Sequence, residues 1–430
     1  MSRLLNVLCG LILPIASALA QTGTYPYILK TFAGAFPLGD NGPATSALLF
    51  YPTAAIADAS GNLFILDDGN QRIRKVTPDG KIATYAQFSG ESWDMQLTAD
   101  GTIYIAGTGG ILRISPSGTQ ALVAGTGVPG FSGDGGAATG AQVGEVWGIA
   151  LDAAGNIFFT DGSRVREVTT DGKIRTVAGT ALSGFNGDNQ AATSARLYDP
   201  SGIAVDAAGN VFVADTNNCR IRKFTVGGTI STVAGTGTCG QPVNGSATLT
   251  PMGWPLGLWL DATGNLFATD SEFMAVLKIT PGGSLSRVAG NFNQFGSPAD
   301  GPAAGVSLNN PYNVSADRAG NLFICEYSHL VRKITPDGNL TTVAGKIHFG
   351  GDGASATAAL LDEPDEIALD SSGSVLIADS YRIRKVTPDG TINTWGGIGI
   401  PDVPPPNGSS IVGAKLPYIY AMAFDSVGAV

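Results

Sequence analysis

Apolar residues along this chain come in short β-branched and aromatic runs, each closed by a polar or glycine-rich turn, and no helical spacing is sustained. One unit recurs. Its clearest copy reads Gly202-Ile-Ala-Val-Asp206, then Gly209-Asn-Val-Phe-Val-Ala-Asp215, then Arg220-Ile-Arg-Lys-Phe224 and Ile230-Ser-Thr-Val-Ala-Gly235. The glycine of this unit returns at Gly61, Gly101, Gly155, Gly209, Gly264, Gly320 and Gly373, at intervals of 40, 54, 54, 55, 56 and 53 residues. Such a period marks a row of identical supersecondary units.

Each unit predicts four short strands, a to d. Strands a and b meet at an Asp-x-x-Gly-Asn turn, where glycine takes positive φ without a steric cost. Strand c reaches strand d through Thr-Pro-Asp-Gly, as at Thr77 to Gly80, Thr335 to Gly338 and Thr387 to Gly390, with proline setting φ and glycine closing the turn. Four antiparallel strands repeated seven times are satisfied by radial blades, so the fold expected is an all-β β-propeller.

The Gly-Ile-Ala-x-Asp, Gly-Asn-x-Phe-x-x-Asp and Arg-Ile-Arg-Lys-Val runs, with linkers such as Gly133-Asp-Gly-Gly-Ala-Ala-Thr139, resemble the NHL repeat family over nearly everything after residue 27. The resemblance implies a propeller that binds proteins, glycans or nucleic acids. A few relatives with similar blades are lyases or lactone hydrolases, so it speaks to fold far more than to activity.

Ile28 to Gly34 match strand d alone, and Tyr420 to Asp425 begin another strand a. The expectation is seven complete blades plus a split or truncated eighth assembled from both chain ends, with the C-terminus incomplete at Val430. The alternative is a ring that seven blades close alone. Residues 1–20, with Arg3, an apolar run and Ala18-Leu-Ala20, read as a secretory signal, leaving 21–430 as one propeller, secreted or periplasmic. No later apolar stretch is long enough to span a membrane.

Composition narrows the partners. Sixty glycines, 14% charged residues and 43% apolar residues suit a turn-rich β-protein with a core. A net charge of −10 repels phosphate backbones and argues against nucleic acid. The long linkers between strand d and the next strand a, such as Gly125 to Val146 and Gly179 to Asp199, share one end of the blades with the b-to-c loops, and that elaborated face is where a ligand is expected. Blade 2 departs, its preceding linker being almost absent between Ala86 and Ser92.

At the b-to-c hairpins an acid faces an arginine: Asp67 and Arg72, Asp161 and Arg164, Asp215 and Arg220, Asp379 and Arg382. These are expected as cross-strand ion pairs that fix the hairpins. Blade 5 sets Asp270 against Ala275 and blade 6 sets Glu326 against Leu330, which makes these two acids the candidates for ligand binding. Linker acids Asp40, Asp134, Asp188 and Asp352 read as turn or cap residues, since each linker offers one carboxylate where calcium would need several oxygens. Cys219 and Cys239, both on the elaborated face, are expected to form a disulfide, and Cys325 to be a buried small apolar residue.

His329 and His348 cannot supply a three-imidazole zinc set, and no Gly-x-Ser-x-Gly elbow is present. Two readings stand. The first is a secreted protein- or glycan-binding module without a resident cofactor. The second is a calcium-dependent lactone hydrolase or lyase using acids near the start of strand a, Glu145, Glu363, Asp365 and Glu366. A scaffold within a larger secreted protein is a third. Oligomeric state is left open.

Overall fold

The computed structural model describes residues 38–292, 300–345 and 351–397 save 363 and 371, together with 399, 410–414, 416–419 and 422. The signal at 1–20, the strand at Ile28 to Gly34, the start of a further repeat at Tyr420 to Asp425, and Glu363 and His348 lie outside these residues or are not all within them.

All seven expected sheets are present, each with four antiparallel strands in the order a-b-c-d. Blade 1 comprises Pro52–Ala57, Leu63–Asp67, Arg72–Val76 and Ile82–Gln87; blade 4 comprises Pro200–Val205, Asn210–Asp215, Arg220–Thr225 and Ser231–Ala234; blade 7 comprises Pro364–Leu369, Val375–Asp379, Arg382–Val386 and Thr391–Gly396. Sheets 5, 6 and 7 gain a two-residue fifth strand from the linker, pairing outside strand d.

The turns form as the residues require. Asp58 Oδ1 accepts the amides of Ser60 and Asn62 while Oδ2 accepts Asn62 Nδ2, and Gly61 sits at φ 80°. The same aspartate-centred turn recurs at Asp152, Asp206, Asp261 and Asp317. Because these contacts are local, each hairpin is specified within a few residues.

Closure is decided elsewhere. Strand a of blade 1 packs against strand a of blade 2 on one side and of blade 6 on the other, and the inner strands of blades 1 to 6 form an unbroken circle. A shared apolar core fills each gap, and the one joining the ends sets Ala44, Leu49, Ala55 and Ile65 of blade 1 against Phe323, Cys325 and Val331 of blade 6. Gly345 donates its amide to Ala44 O, Ser315 Oγ bonds Ala55 O, and the Tyr51 amide donates to His329 Nδ1 at 2.9 Å across that seam.

Seven four-stranded blades are present as expected; among the described residues the inner strands of blades 1 to 6 close a circle, and the chain-end segments expected to build an eighth blade are not all within those residues. The inner strands approach one another closely. A Cβ on Gly148 would lie 2.3 Å from Ser201 O, and one on Gly202 would lie 2.1 Å from Leu256 O. A side chain at either position would collide with the neighbouring blade's backbone, so glycine is required there. Blade 7 stands outside the circle with a core of its own, formed by Ala356, Ala359, Ile377, Val386 and Ile392.

Candidate functional site

The acid that ends strand b ties the elaborated face together. Asp67, Asp161, Asp215, Asp270 and Asp379 each accept a linker amide 17 residues upstream, from Phe50, Gly144, Tyr198, Gly253 and Asp362. Linkers and b-to-c loops thus share one face, as the sequence indicated.

The ion pairs are not those expected. The acid does face the first arginine in register, as in Asp67 with Arg72, Asp161 with Arg164, Asp215 with Arg220 and Asp379 with Arg382. The short contacts go instead to the second arginine of Arg-x-Arg. Arg74 meets Asp67 at 3.2 Å, Arg166 meets Asp161 at 3.0 Å, Arg222 meets Asp215 at 3.3 Å and Arg384 meets Asp379 at 3.4 Å. The other arm of each guanidinium takes the linker acid, with Arg74 to Asp40 at 2.6 Å, Arg166 to Asp134 at 2.7 Å, Arg222 to Asp188 at 2.8 Å and Arg384 to Asp352 at 2.7 Å. The linker acids are therefore ion-pair partners rather than simple caps.

The reason lies in burial. The second arginine points into the sheet with no exposed side-chain surface, and a buried guanidinium requires its donors to be met by carboxylates. The first arginine covers a linker ring instead: Arg164 lies 3.8 Å from the Phe131 centroid and Arg220 lies 3.9 Å from that of Phe185. Burial outweighs the ion pair at the strand-b acids, and the Asp215 and Asp379 carboxyls are pushed up to about 6.

The two acids singled out as lacking an arginine fare differently. Glu326 lies 3.8 Å from Arg332 Nη1 and accepts Ser328 Oγ, so it has ionic company after all. Asp270 is fully buried and accepts the Gly253 and Phe273 amides; among the described residues no basic side chain pairs with it. In blade 5 the arginine position holds Leu277 and the linker-acid position holds Asn244, whose Oδ1 accepts the Arg287 amide. The pair has been replaced by neutral groups together. Burial pushes Asp270 up to about 6.

Glu145 and Glu366 are both exposed. Glu366 belongs to strand a of blade 7, outside the six-strand circle, so these acids do not converge on one channel. Among the described residues no three His, Cys, Asp or Glu side chains are gathered to hold a metal ion. Cys219 and Cys239 are bonded, with Cα atoms 5.3 Å apart. Cys325 is buried at the seam, and burial pushes its thiol up.

The feature that sequence reasoning missed is the channel mouth. Trp93, Asp94, Trp147, Ser201, Leu256, Tyr312 and Asn313 line one pocket on the axis. They come from the second and third positions of strand a in successive blades: Thr53-Ala54, Trp93-Asp94, Trp147-Gly148, Ser201-Gly202, Leu256-Gly257 and Tyr312-Asn313. The Trp93 and Trp147 rings stack with centroids 4.6 Å apart. Asp94 is 7% exposed and holds three donors: the Met95 amide and Asn313 Nδ2 on Oδ1, and the Ile149 amide on Oδ2, at 2.8, 2.8 and 2.9 Å. Burial pushes its carboxyl up to about 7 against the pull of those hydrogen bonds. The signal was present in the sequence as a column where blades 4 and 5 keep Ser-Gly and Leu-Gly while blades 2 and 6 carry Trp-Asp and Tyr-Asn.

Around the mouth, large apolar side chains are left in water. Of sixteen such exposed residues described, eight lie on three consecutive linkers, Val128 and Phe131, then Leu182, Phe185 and Tyr198, then Val243, Leu249 and Trp254, and a ninth, Trp147, directly follows the first linker. They sit on the same face as the channel mouth.

Comparison with known proteins agrees with this architecture. Residues 38–185 match the family model described as the teneurin NHL domain, and residues 197–224 match the NHL repeat. The chain carries NHL-type repeats in a β-propeller fold. Teneurin-4 of Mus musculus is 30% identical over 228 residues, which cover 43% of this chain and 8% of that protein. Teneurin-3 of Mus musculus is 24% identical over 342 residues, covering 67% of this chain and 12% of that protein. The chain thus spans about a tenth of the length of these relatives. A Bacteroides thetaiotaomicron protein of unknown function superposes with a TM-score of 0.56 at 19% identity, covering 71% of this chain and 74% of its own. An auxiliary nutrient binding protein from Bacteroides ovatus superposes with a TM-score of 0.53 at 14% identity, covering 73% and 76%. Both structures share the fold. Among the described residues no helix is long and apolar enough to cross a membrane.

Proposed function

We propose that this propeller is an extracytoplasmic recognition module that docks a protein through the linker face of blades 2 to 5. The observation that carries the reading is the concentration of water-exposed apolar side chains on three neighbouring linkers, with Leu182 58% and Leu249 80% exposed. Leaving such groups in water is unfavourable, and a contiguous apolar patch rimmed by polar residues is what a protein interface covers. A protein suits the surface better than a glycan, because Val128, Leu182, Val243 and Leu249 offer aliphatic contact where sugars are met by rings and polar groups. The Cys219–Cys239 bond supports a location outside the reducing cytoplasm. The auxiliary nutrient binding protein of Bacteroides ovatus, which shares the fold, supports a binding role.

The test is site-directed photo-crosslinking in the source cells. A benzophenone side chain in place of Phe131, Leu182 or Leu249 is expected to yield the same discrete protein adduct from all three positions. Tyr85 and Val226, exposed apolar residues off this face, are expected to yield none. Equal labelling from both sets, or none from either, would overturn the reading.

A further inference from the structure

The geometry points to the channel mouth as a receptor for one alkylammonium group, the side chain of a lysine or the N-terminal amine presented by the docked protein. This rests on the protein-docking reading and deepens it.

Three observations converge. The walls are aromatic: Trp93, Trp147 and Tyr312 occupy the same register position of the inner strands in blades 2, 3 and 6. Such rings present negative faces that attract a cation while excluding water. Trp147 is 38% exposed, so a ligand arriving from the linker face can reach it.

The second observation is the carboxylate at the pocket. Asp94 is buried and lines the cavity, and no basic side chain pairs with it among the described residues. A carboxylate offers about four acceptor positions and three are taken, two on Oδ1 and one on Oδ2. Asn313 fixes the group: its Oδ1 is held by the Val314 amide, which turns Nδ2 onto Asp94. The three accepted hydrogen bonds favour the ionised carboxyl and burial opposes it, which leaves Asp94 at about 7, where a cation in the pocket would draw off its proton.

The third observation is the charge of the rim. Glu91, Glu145 and Asp199, all exposed, stand immediately before the second-position approach of strand a in blades 2, 3 and 4, one residue outside Ser92, Val146 and Pro200. None of the residues lining the pocket is basic. A mouth that is acidic at the rim, aromatic along the wall and carboxylate-bearing within selects a cation by charge, and its cavity of about 20 Å³ admits only a small head group. Arginine would present a broad planar fork, whereas an ammonium on a methylene stem matches both a ring face and a single carboxylate.

The probes are n-butylammonium and Nα-acetyl-lysinamide, with n-butanol, the Nε-acetylated amide and calcium chloride as controls, titrated into the full chain and followed by tryptophan fluorescence and NMR. Saturable binding of both ammonium probes is expected, with n-butanol and the acetylated amide at least ten-fold weaker. Asp94→Asn is expected to weaken ammonium binding at least ten-fold, and Trp147→Leu to weaken it several-fold. Because Trp147 is partly exposed, that variant keeps the test open if Asp94→Asn fails to fold.

Absence of ammonium binding by the folded chain would overturn the inference. So would equal binding of the neutral probes, unchanged binding in Asp94→Asn and Trp147→Leu, or saturation of the same site by calcium in place of ammonium. If the linker crosslinks form while the ammonium probes fail, the docking reading stands and the receptor does not. If the probes bind but no linker crosslink forms, the docking reading fails alone.

Discussion

Blades 4 and 7 are close copies in sequence and differ in what surrounds them. Both carry Arg-Ile-Arg-Lys on strand c, the same register of acid against first arginine, and the same buried second arginine held between a linker acid and a strand-b acid. Yet Ile203 on the inner strand of blade 4 is 3% exposed, while its counterpart Ile367 in blade 7 is 54% exposed. Blade 4 shares cores with both neighbours, and blade 7 has only its own. A blade can therefore pair its own strands and hold its buried second arginine between two acids by itself. Burial of its inner strand is supplied by the ring.

The comparison can be broken hardest at the buried arginines. Arg222→Ala leaves Asp215 buried without its partner, and a loss of about 3–5 kcal/mol in the stability of the ring is expected. Arg384→Ala does the same local damage in blade 7. Hydrogen exchange is expected to show blade 7 losing protection while the main thermal transition stays in place. A main transition lowered equally by both variants would mean that blade 7 unfolds with the ring.

The inner strands sharpen it. Ile203→Ala removes packing between blades and is expected to cost about 2–5 kcal/mol by denaturant unfolding. Ile367→Ala, half in water already, is expected to cost less than about 0.5 kcal/mol.

The smallest effect concerns pH. Burial raises Asp68, Asp94 and Glu326 to about 7 and Asp270 to about 6, all in ring blades, whereas in blade 7 Asp379 is raised to about 6. These acids hold protons in the folded state that the unfolded chain releases near pH 4. Their contribution is complete below that pH and is lost as pH rises towards 7. Unfolding midpoints of the ring are expected to fall over this range more steeply than those of blade 7. Asp94→Asn is expected to flatten the ring's decline, by on the order of 1 kcal/mol. A ring whose stability rises from pH 4 to 7 would contradict the assignment.

What could be read from the chain was whatever depends on near neighbours. Asp206, Gly209 and Asn210 make a turn among themselves, so the hairpin, its register and the seven-fold repetition followed from sequence. The Cys219–Cys239 bond was legible for a related reason, since both residues belong to loops of one face. The pairing of acids with arginines was half legible: opposition across the hairpin was correct, but two residues of the same parity compete for the acid, and burial chose the second.

Tertiary structure decided what depends on the angle between blades. Among the described residues six inner strands close a circle, with Gly148 and Gly202 where neighbouring backbones touch, a distance that no local pattern encodes. Closure in turn brought Asn313 to Asp94 across 219 residues and set Trp93 against Trp147, making a pocket from residues that are unremarkable one blade at a time. Local hydrogen bonds are specified by spacing along the chain, whereas a channel is specified by how many blades meet around it.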